Sequence, residues 1–195
     1  HDHCRLGEHG TAGIDAGMFG AFIVRKAGDP RPDRKPYVLV MKDLSFNLEV
    51  APDTPVLRAN QGERVEFVVI GHGNLFHTFH IHGHRWVDNR TGIPASPTDQ
   101  TAVIDNKTVG PADSFGFQVV AGEGVGPGAW MYHCHVQGHS DAGMTGIFLV
   151  RDATGAVPTE ARRTLRAFRR SHADHLEIPP ELRKYAPVEH GSHSS

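Results

Sequence analysis

The sequence predicts an all-β fold, a sandwich of β-sheets, from two observations. Between residues 36 and 152, short apolar and β-branched runs recur, and clusters of Gly, Pro, Asn and Asp separate them at short intervals. Helical periodicity is absent from the same stretch. Many short strands with frequent turn signals are typical of β-sandwiches.

Six segments of this stretch have the character of strands. The segment 64–70 alternates between polar and apolar residues before it becomes continuously apolar, which indicates a strand with one buried face. The predicted strands are residues 36–42, 64–70, 76–86, 114–120, 129–136 and 145–150.

The two flanks differ from this stretch, so we divide the chain into residues 1–35, 36–152 and 153–195. Residues 1–35 are rich in glycine, with one short apolar run at 21–24 that we interpret as a strand, and residues 29–33 are typical of a linker. In the last segment, five arginines with Leu165 and Phe168 predict a short amphipathic helix beginning at Thr159. We expect that helix to dock loosely on the sandwich, with a subunit contact as the alternative, and the tail from His190 to be disordered.

Composition excludes two classes of partner. The 195 residues carry a net charge of −2, so no global field favours nucleic acid or a membrane surface. No apolar run approaches the roughly 20 residues of a membrane helix. The chain has 15 histidines and two cysteines, and Cys134, between two histidines, is better interpreted as a metal thiolate than as half of a disulfide.

The most informative motif is WMYHCHVQGH at residues 130–139, followed by Met144. Side chains alternate faces along a strand, so Cys134 points one way while His133 and His135 point the other. Cys134, His139 and Met144 supply the thiolate, imidazole and weak thioether of a blue-copper site, which needs one more histidine.

That histidine lies in the second motif, HTFHIHGHRW at residues 77–86. By the same alternation, His80 and His82 share one face and His77 lies on the other. His77 therefore completes the type 1 copper set, and His80 and His82 join His133 and His135. A third, weaker motif is His1-x-His3 at the start of the chain, where a tag remnant or a copper-binding terminus are alternatives.

The motifs at residues 77–86 and 130–144 resemble the last two copper motifs of multicopper oxidases, and most closely those of the bacterial two-domain (small) laccases, while His1-Asp2-His3 resembles the second copper motif of that family. The resemblance runs from residue 1 to about residue 152 and includes DNRTG, VIDNK and the long run from Gly110 to His135. It implies a Greek-key cupredoxin for residues 36–152 and the end of a first cupredoxin domain for residues 1–35. His1 and His3 then become ligands of a trinuclear type 2/type 3 copper cluster.

The resemblance also implies a function: one-electron oxidation of a small phenolic or aromatic reductant, coupled to reduction of O2 to water. Cys134, His133 and His135 would carry electrons between the two copper sites. It implies a homotrimer with clusters between subunits, and a secreted or periplasmic location. The family's cluster takes eight histidines, of which six are present here, so we expect the chain to be the C-terminal portion of such a protein.

Two further functions stay open. A blue-copper electron-transfer module would result if the cluster does not assemble, and a copper nitrite reductase is disfavoured by His135, since that class typically has one histidine beside the cysteine. Among secondary candidates, Asp105 is a possible hydrogen-bonding partner of a ligand imidazole, with a structural turn acid as the alternative. His84 is either such a partner or a histidine satisfied at the surface.

Overall fold

The computed structural model describes residues 11–171, 178 and 180–186. His1, His3, Cys4 and the tail from His190 lie outside the described residues. Eleven strands, numbered β1 to β11 in chain order, dominate the described part, which confirms the all-β prediction.

Two sheets face each other. The first has the order β2-β1-β4-β9 and pairs β1 with β4 in parallel. Its strands are β1 (Tyr37–Lys42), β2 (Ser45–Phe46), β4 (Arg64–His72) and β9 (Ser114–Val120).

The second sheet, with the order β3-β11-β10-β5-β8, carries both histidine motifs. Its strands are β3 (Leu57–Asn60), β5 (His77–Ile81), β8 (Asn106–Val109), β10 (Gly128–Cys134) and β11 (Thr145–Arg151). A separate two-stranded ribbon pairs β6 (Trp86–Val87) with β7 (Val103–Ile104).

Alternate residues of the two sheets form the core between them. Phe67 stacks on Phe117 with ring centroids 5.2 Å apart, and Trp86 also stacks on Phe117, at 3.9 Å. From the second sheet, Phe79 and Tyr132 point inward and are fully buried. The inner faces of β5 and β10 are thereby fixed, which leaves every second residue of each strand on the outer face.

Three α-helices and one 3₁₀ helix complete the described chain. They are α1 (Thr11–Asp15), α2 (Gln137–Asp141), α3 (Thr159–Ser171) and the 3₁₀ helix Pro180–Tyr185. The predicted helix at Thr159 is confirmed as α3, which packs Phe168 against Ile147 and Leu149 on the outer face of β11. None of the described helices has the length and apolar character needed to cross a membrane.

The structure corrects three expectations. The segment 76–86 is two strands, because the chain turns at residues 82–85 with Gly83 at a φ of 71° against the ring of Trp130. Residues 21–24 form no strand: no neighbouring strand pairs with them in the described chain, and Phe22 is 95% exposed. A short helix, α2, interrupts the stretch that lacked helical periodicity.

Candidate metal centre

Three ligand atoms converge at one end of the core. Nδ1 of His77 lies 3.8 Å from Sγ of Cys134, and Nδ1 of His139 lies 3.6 Å from the same sulfur. All three side chains are buried, and their ligand atoms lie within 4.8 Å of one another. We call these three residues the inner set.

The inner set fits a metal ion bound in a trigonal arrangement. Zinc sites give bond lengths of about 2.0 Å to imidazole nitrogen and about 2.3 Å to thiolate sulfur, which separates nitrogen from sulfur by about 3.7 Å across a trigonal angle. The two nitrogen–sulfur distances here bracket that value. Two imidazoles and one thiolate are also the donors that distinguish a blue-copper site from the usual sites of harder metals.

Each member of the inner set comes from a different element. His77 is the first residue of β5, Cys134 is the last residue of β10, and His139 lies in α2. Met144 follows α2 and is fully buried in the core cluster that contains Cys134. Its carbonyl accepts a hydrogen bond from the N–H of Cys134, and its N–H donates to the carbonyl of His139, each at 3.0 Å.

Burial dominates the electrostatics of the inner set. It lowers the pKa of His77 to about 4, with repulsion from His139 acting in the same direction and the charge of Asp43 opposing it. Burial also lowers the pKa of His139 and raises that of the Cys134 thiol. The imidazoles are therefore neutral and able to donate a lone pair at physiological pH, while burial favours the neutral thiol of Cys134.

A second group lies on the outer face of the same sheet. The ligand atoms of His80, His82 and His133 lie within 4.8 Å of one another, with Nε2 of His82 only 3.2 Å from Nε2 of His133. The ring of His135 adjoins this group, with centroids 5.3 Å from those of His80 and His133. We call these four histidines the outer set.

Backbone carbonyls orient two rings of the outer set. Nδ1–H of His80 donates to the carbonyl of Asp105 at 2.8 Å, and Nδ1–H of His133 donates to the carbonyl of Cys134 at 2.8 Å. Each ring thereby directs Nε2 toward the group, which is the usual way in which proteins fix a ligating imidazole. Asp105 therefore bonds His80 through its main-chain carbonyl and not through its carboxylate, whose nearest oxygen lies 3.9 Å from Nδ1 of His80.

The expectations for His84 need correction. His84 is neither a partner of a ligand imidazole nor a surface residue, because β5 ends at Ile81 and the following turn directs it into the protein. Its Nδ1–H donates to the carbonyl of His82, and its Nε2 accepts from the N–H of Gly122. Both ring nitrogens are therefore used by the backbone, and His84 fixes the turn instead of offering a ligand atom.

Comparison with known proteins decides the family. A sequence model of the multicopper oxidase family matches residues 30–154, a range that contains both histidine motifs. This chain belongs to the multicopper oxidase family. The family's proteins are copper-dependent oxidoreductases.

Two curated proteins show what the sequence of this multicopper oxidase is similar to. A probable nitrite reductase–hydroxylamine oxidoreductase fusion protein of Kuenenia stuttgartiensis is 34% identical, with 81% of this chain and 20% of the relative covered. Laccase-2 of Oryza sativa subsp. japonica is 29% identical, with 64% and 24% covered. The chain thus spans about a fifth to a quarter of the length of these relatives.

Solved structures show the same fold. A multicopper oxidase from Pediococcus acidilactici matches with a TM-score of 0.51 at 20% identity, covering 72% of this chain and 30% of that one. A copper nitrite reductase from Nitrosomonas europaea matches with a TM-score of 0.50 at 20% identity, covering 68% and 54%. These similarities confirm the cupredoxin fold.

Some residues around the centre were not predicted. The charge of Asp43 opposes the lowering of the pKa of His77 and His139 by burial. In the sequence, Asp43 is only an acidic residue that follows a predicted strand. Thr78 fixes the start of the loop after β10, since its carbonyl and hydroxyl both accept from the N–H of His135. The 3₁₀ helix approaches α2, where a Cβ added at Gly138 would lie 3.4 Å from Leu182.

Proposed function

We propose that this chain carries the type 1 copper site and part of the trinuclear copper cluster of a laccase-type multicopper oxidase. His77, Cys134, His139 and Met144 would hold the type 1 copper, and His80, His82, His133 and His135 would serve the cluster together with His1 and His3. In this proposal residues 36–152 are a second cupredoxin domain, residues 1–35 are the end of a first one, and residues 153–195 are an extension.

One observation carries the proposal: a single strand serves both sets. Cys134 points into the inner set, while its neighbour His133 points into the outer set on the opposite face. A protein that only carries electrons needs one copper site and has no use for a second group of convergent imidazoles. Consecutive residues of β10 also provide the shortest covalent connection between the two sets.

The chain's own residues define where a reductant would approach. His77 is completely buried, whereas His139 keeps 6% of its surface exposed at the end of the sandwich. A diffusible phenolic or aromatic donor would therefore make contact at the edge of His139. When bound, copper would supply one-electron chemistry at the inner set and the reduction of oxygen at the outer set.

The overall reaction balances as four one-electron oxidations of the donor for each O2, which takes up four protons to give two waters. The matching experiment measures oxygen uptake and donor oxidation together in the copper-loaded protein. Four donor radicals per O2 consumed, without hydrogen peroxide, supports the proposal. Donor oxidation that stops after one electron per chain, without oxygen uptake, would identify a blue-copper electron-transfer module instead.

Copper nitrite reductase is a second candidate, favoured by the likeness to the probable nitrite reductase–hydroxylamine oxidoreductase fusion protein. The outer set argues for the oxidase: the ligand atoms of His80, His82 and His133 converge and the ring of His135 adjoins them, whereas a mononuclear copper site beside Cys134 would not need both His133 and His135. Nitrite-dependent oxidation of the donor without oxygen would support the reductase. The homotrimer and the secreted or periplasmic location belong to this proposal as properties of similar two-domain enzymes.

A further inference from the structure

A buried carboxylate occupies the turn after β1. Asp43 is 6% exposed and has a φ of 49°, a left-handed conformation that aspartate tolerates better than most residues. Its Oδ1 accepts a hydrogen bond from the N–H of Asn74, and its Oδ2 accepts one from Nζ of Lys42, each at 2.8 Å. The backbone N–H and the ammonium group thus compensate this buried carboxylate for the water contacts it has lost.

This carboxylate lies at the same end of the sandwich as the inner set. Strands β1 and β4 run parallel and pair Lys42 with His72, so the turn after β1 meets the loop 73–76 that leads into His77. Gly73 shows how closely they meet: it has a φ of 80°, and a Cβ built there would lie 2.4 Å from Oδ1 of Asp43. Only glycine leaves room for the carboxylate at this point of the loop.

Asp43 is bound to the loop that carries the first ligand of the inner set. Its Oδ1 accepts from the N–H of Asn74, three residues before His77 at the start of β5, and the parallel pairing of β1 with β4 brings the two segments together. The negative charge of Asp43 would act on any cation that the two imidazoles and Cys134 hold. Because the group is buried, salt in the solvent screens its effect only weakly.

A short chain of ion pairs extends from this carboxylate. Nζ of Lys42 lies 2.8 Å from Oδ2 of Asp43 and 2.8 Å from Oδ1 of Asp15, the last residue of α1. Lys42 is 13% exposed at its side chain, and Asp15 is 40% exposed. The cation thus lies between a buried anion beside the inner set and a more exposed anion farther out.

We propose that the chain Asp15–Lys42–Asp43 sets the reduction potential of a copper ion held by His77, Cys134 and His139. This inference rests on the proposed function and concerns how the proposed type 1 site is tuned. Oxidised copper carries one more positive charge than reduced copper, so a fixed anion nearby stabilises the oxidised state. Asp43 therefore lowers the reduction potential, and the positive charge of Lys42 partly cancels that effect. The negative charge of Asp15 in turn offsets part of the charge of Lys42.

The test is a redox titration of the copper-loaded protein, followed through its visible thiolate–copper absorption. Asp43→Asn keeps the shape and an oxygen for the N–H of Asn74, and we expect it to raise the potential. Lys42→Gln should lower the potential, and Asp15→Asn should raise it by less than Asp43→Asn does. For Asp43→Asn we expect about a tenfold change in the oxidation equilibrium, which is about 59 mV for one electron.

Glu160→Gln provides the control, since it removes an exposed charge on α3 whose only recorded pair among the described residues is Arg163. Its potential should equal that of the wild type. Unchanged potentials, or a shift of the same sign in Asp43→Asn and Lys42→Gln, would overturn the inference. If Asp43→Asn fails to bind copper, Lys42→Gln alone provides the test. A reduction potential in Lys42→Gln that is not below that of the wild type would then overturn the inference. A wild-type protein without the absorption band would overturn the copper site itself, and with it the inference.

Discussion

The sulfur of Cys134 lies 3.6 Å from Nδ1 of His139, five residues further along the chain. The preceding residue, His133, has its ring 5.2 Å from that of His80 on the opposite face of the sheet. Two adjacent residues of one strand thus belong to two different groups of ligand atoms. This arrangement follows from the alternation of side chains along a strand, and it relates the chemistry of the two groups.

Replacing Cys134 by serine should separate the two groups. The hydroxyl is a poor ligand for oxidised copper, so we expect complete loss of the visible absorption band and of oxidase turnover. Copper bound at the outer set should remain, because His80, His82 and His133 do not contact the sulfur. Copper analysis together with the visible spectrum checks both expectations, and oxidase activity that persists in the variant would refute the assignment of Cys134.

Met144→Leu should raise the reduction potential of the inner set. The change conserves volume at a fully buried site, so the cost in stability should stay below about 1.5 kcal/mol. Loss of a weak axial thioether makes the oxidised metal less stable relative to the reduced metal. A redox titration measures the potential, and a value identical to that of the wild type would show that Met144 is not the axial ligand.

Gly146→Ala should destabilise the sandwich. Gly146 pairs with Tyr132 across β11 and β10, and a Cβ built there would lie 2.2 Å from Cζ of that ring. The ring cannot withdraw easily, since it is fully buried and its hydroxyl donates to the carbonyl of Pro55 at 2.6 Å. We expect a loss of about 1–3 kcal/mol in urea unfolding.

The matched control is Gly20→Ala, where the added methyl group meets nothing within 4 Å. It should change the free energy of unfolding by less than about 0.5 kcal/mol. Equal losses in the two variants would show that the contact with Tyr132 is not the cause.

Phe168→Ala should detach α3 from the sheet. Phe168 is 5% exposed and packs with Ile147 and Leu149, so its truncation should cost about 3–5 kcal/mol if the helix contributes to global stability. Arg169→Ala, one residue away on the exposed side, should cost less than about 0.5 kcal/mol. Thermal or urea unfolding measures the stability of the two variants. Equal stabilities would mean that α3 is docked only loosely, as its sequence predicts.

The sequence was sufficient to predict the two faces of β5 and β10, because the period of a strand is a property of the backbone. Parity separates His77 from His80 and Cys134 from His133, and the donor set of a blue-copper site then places His77 with Cys134. His139 lies in a short helix, to which the alternation of a strand does not apply. It was predicted instead from the ligands of a blue-copper site, which combine a thiolate, imidazoles and a thioether.

Other features depend on contacts between distant segments, which no local pattern encodes. The end of β5 at Ile81 is set by the packing of Gly83 against Trp130, and this packing directs His84 inward. Asp43 comes near the inner set only because β1 and β4 are parallel neighbours. The hydrogen bond from His80 to the main chain of Asp105 likewise depends on β5 pairing with β8, and a sequence motif indicates only the side chain.

The most direct test of the central claim is a copper-edge anomalous diffraction map of the copper-loaded protein. We predict one peak within bonding distance of Nδ1 of His77, Nδ1 of His139 and Sγ of Cys134. We predict separate anomalous density on the other face of β10, beside the imidazoles of His80, His82 and His133. Density on one face only, or on neither, would contradict the claim that this strand serves two copper sites.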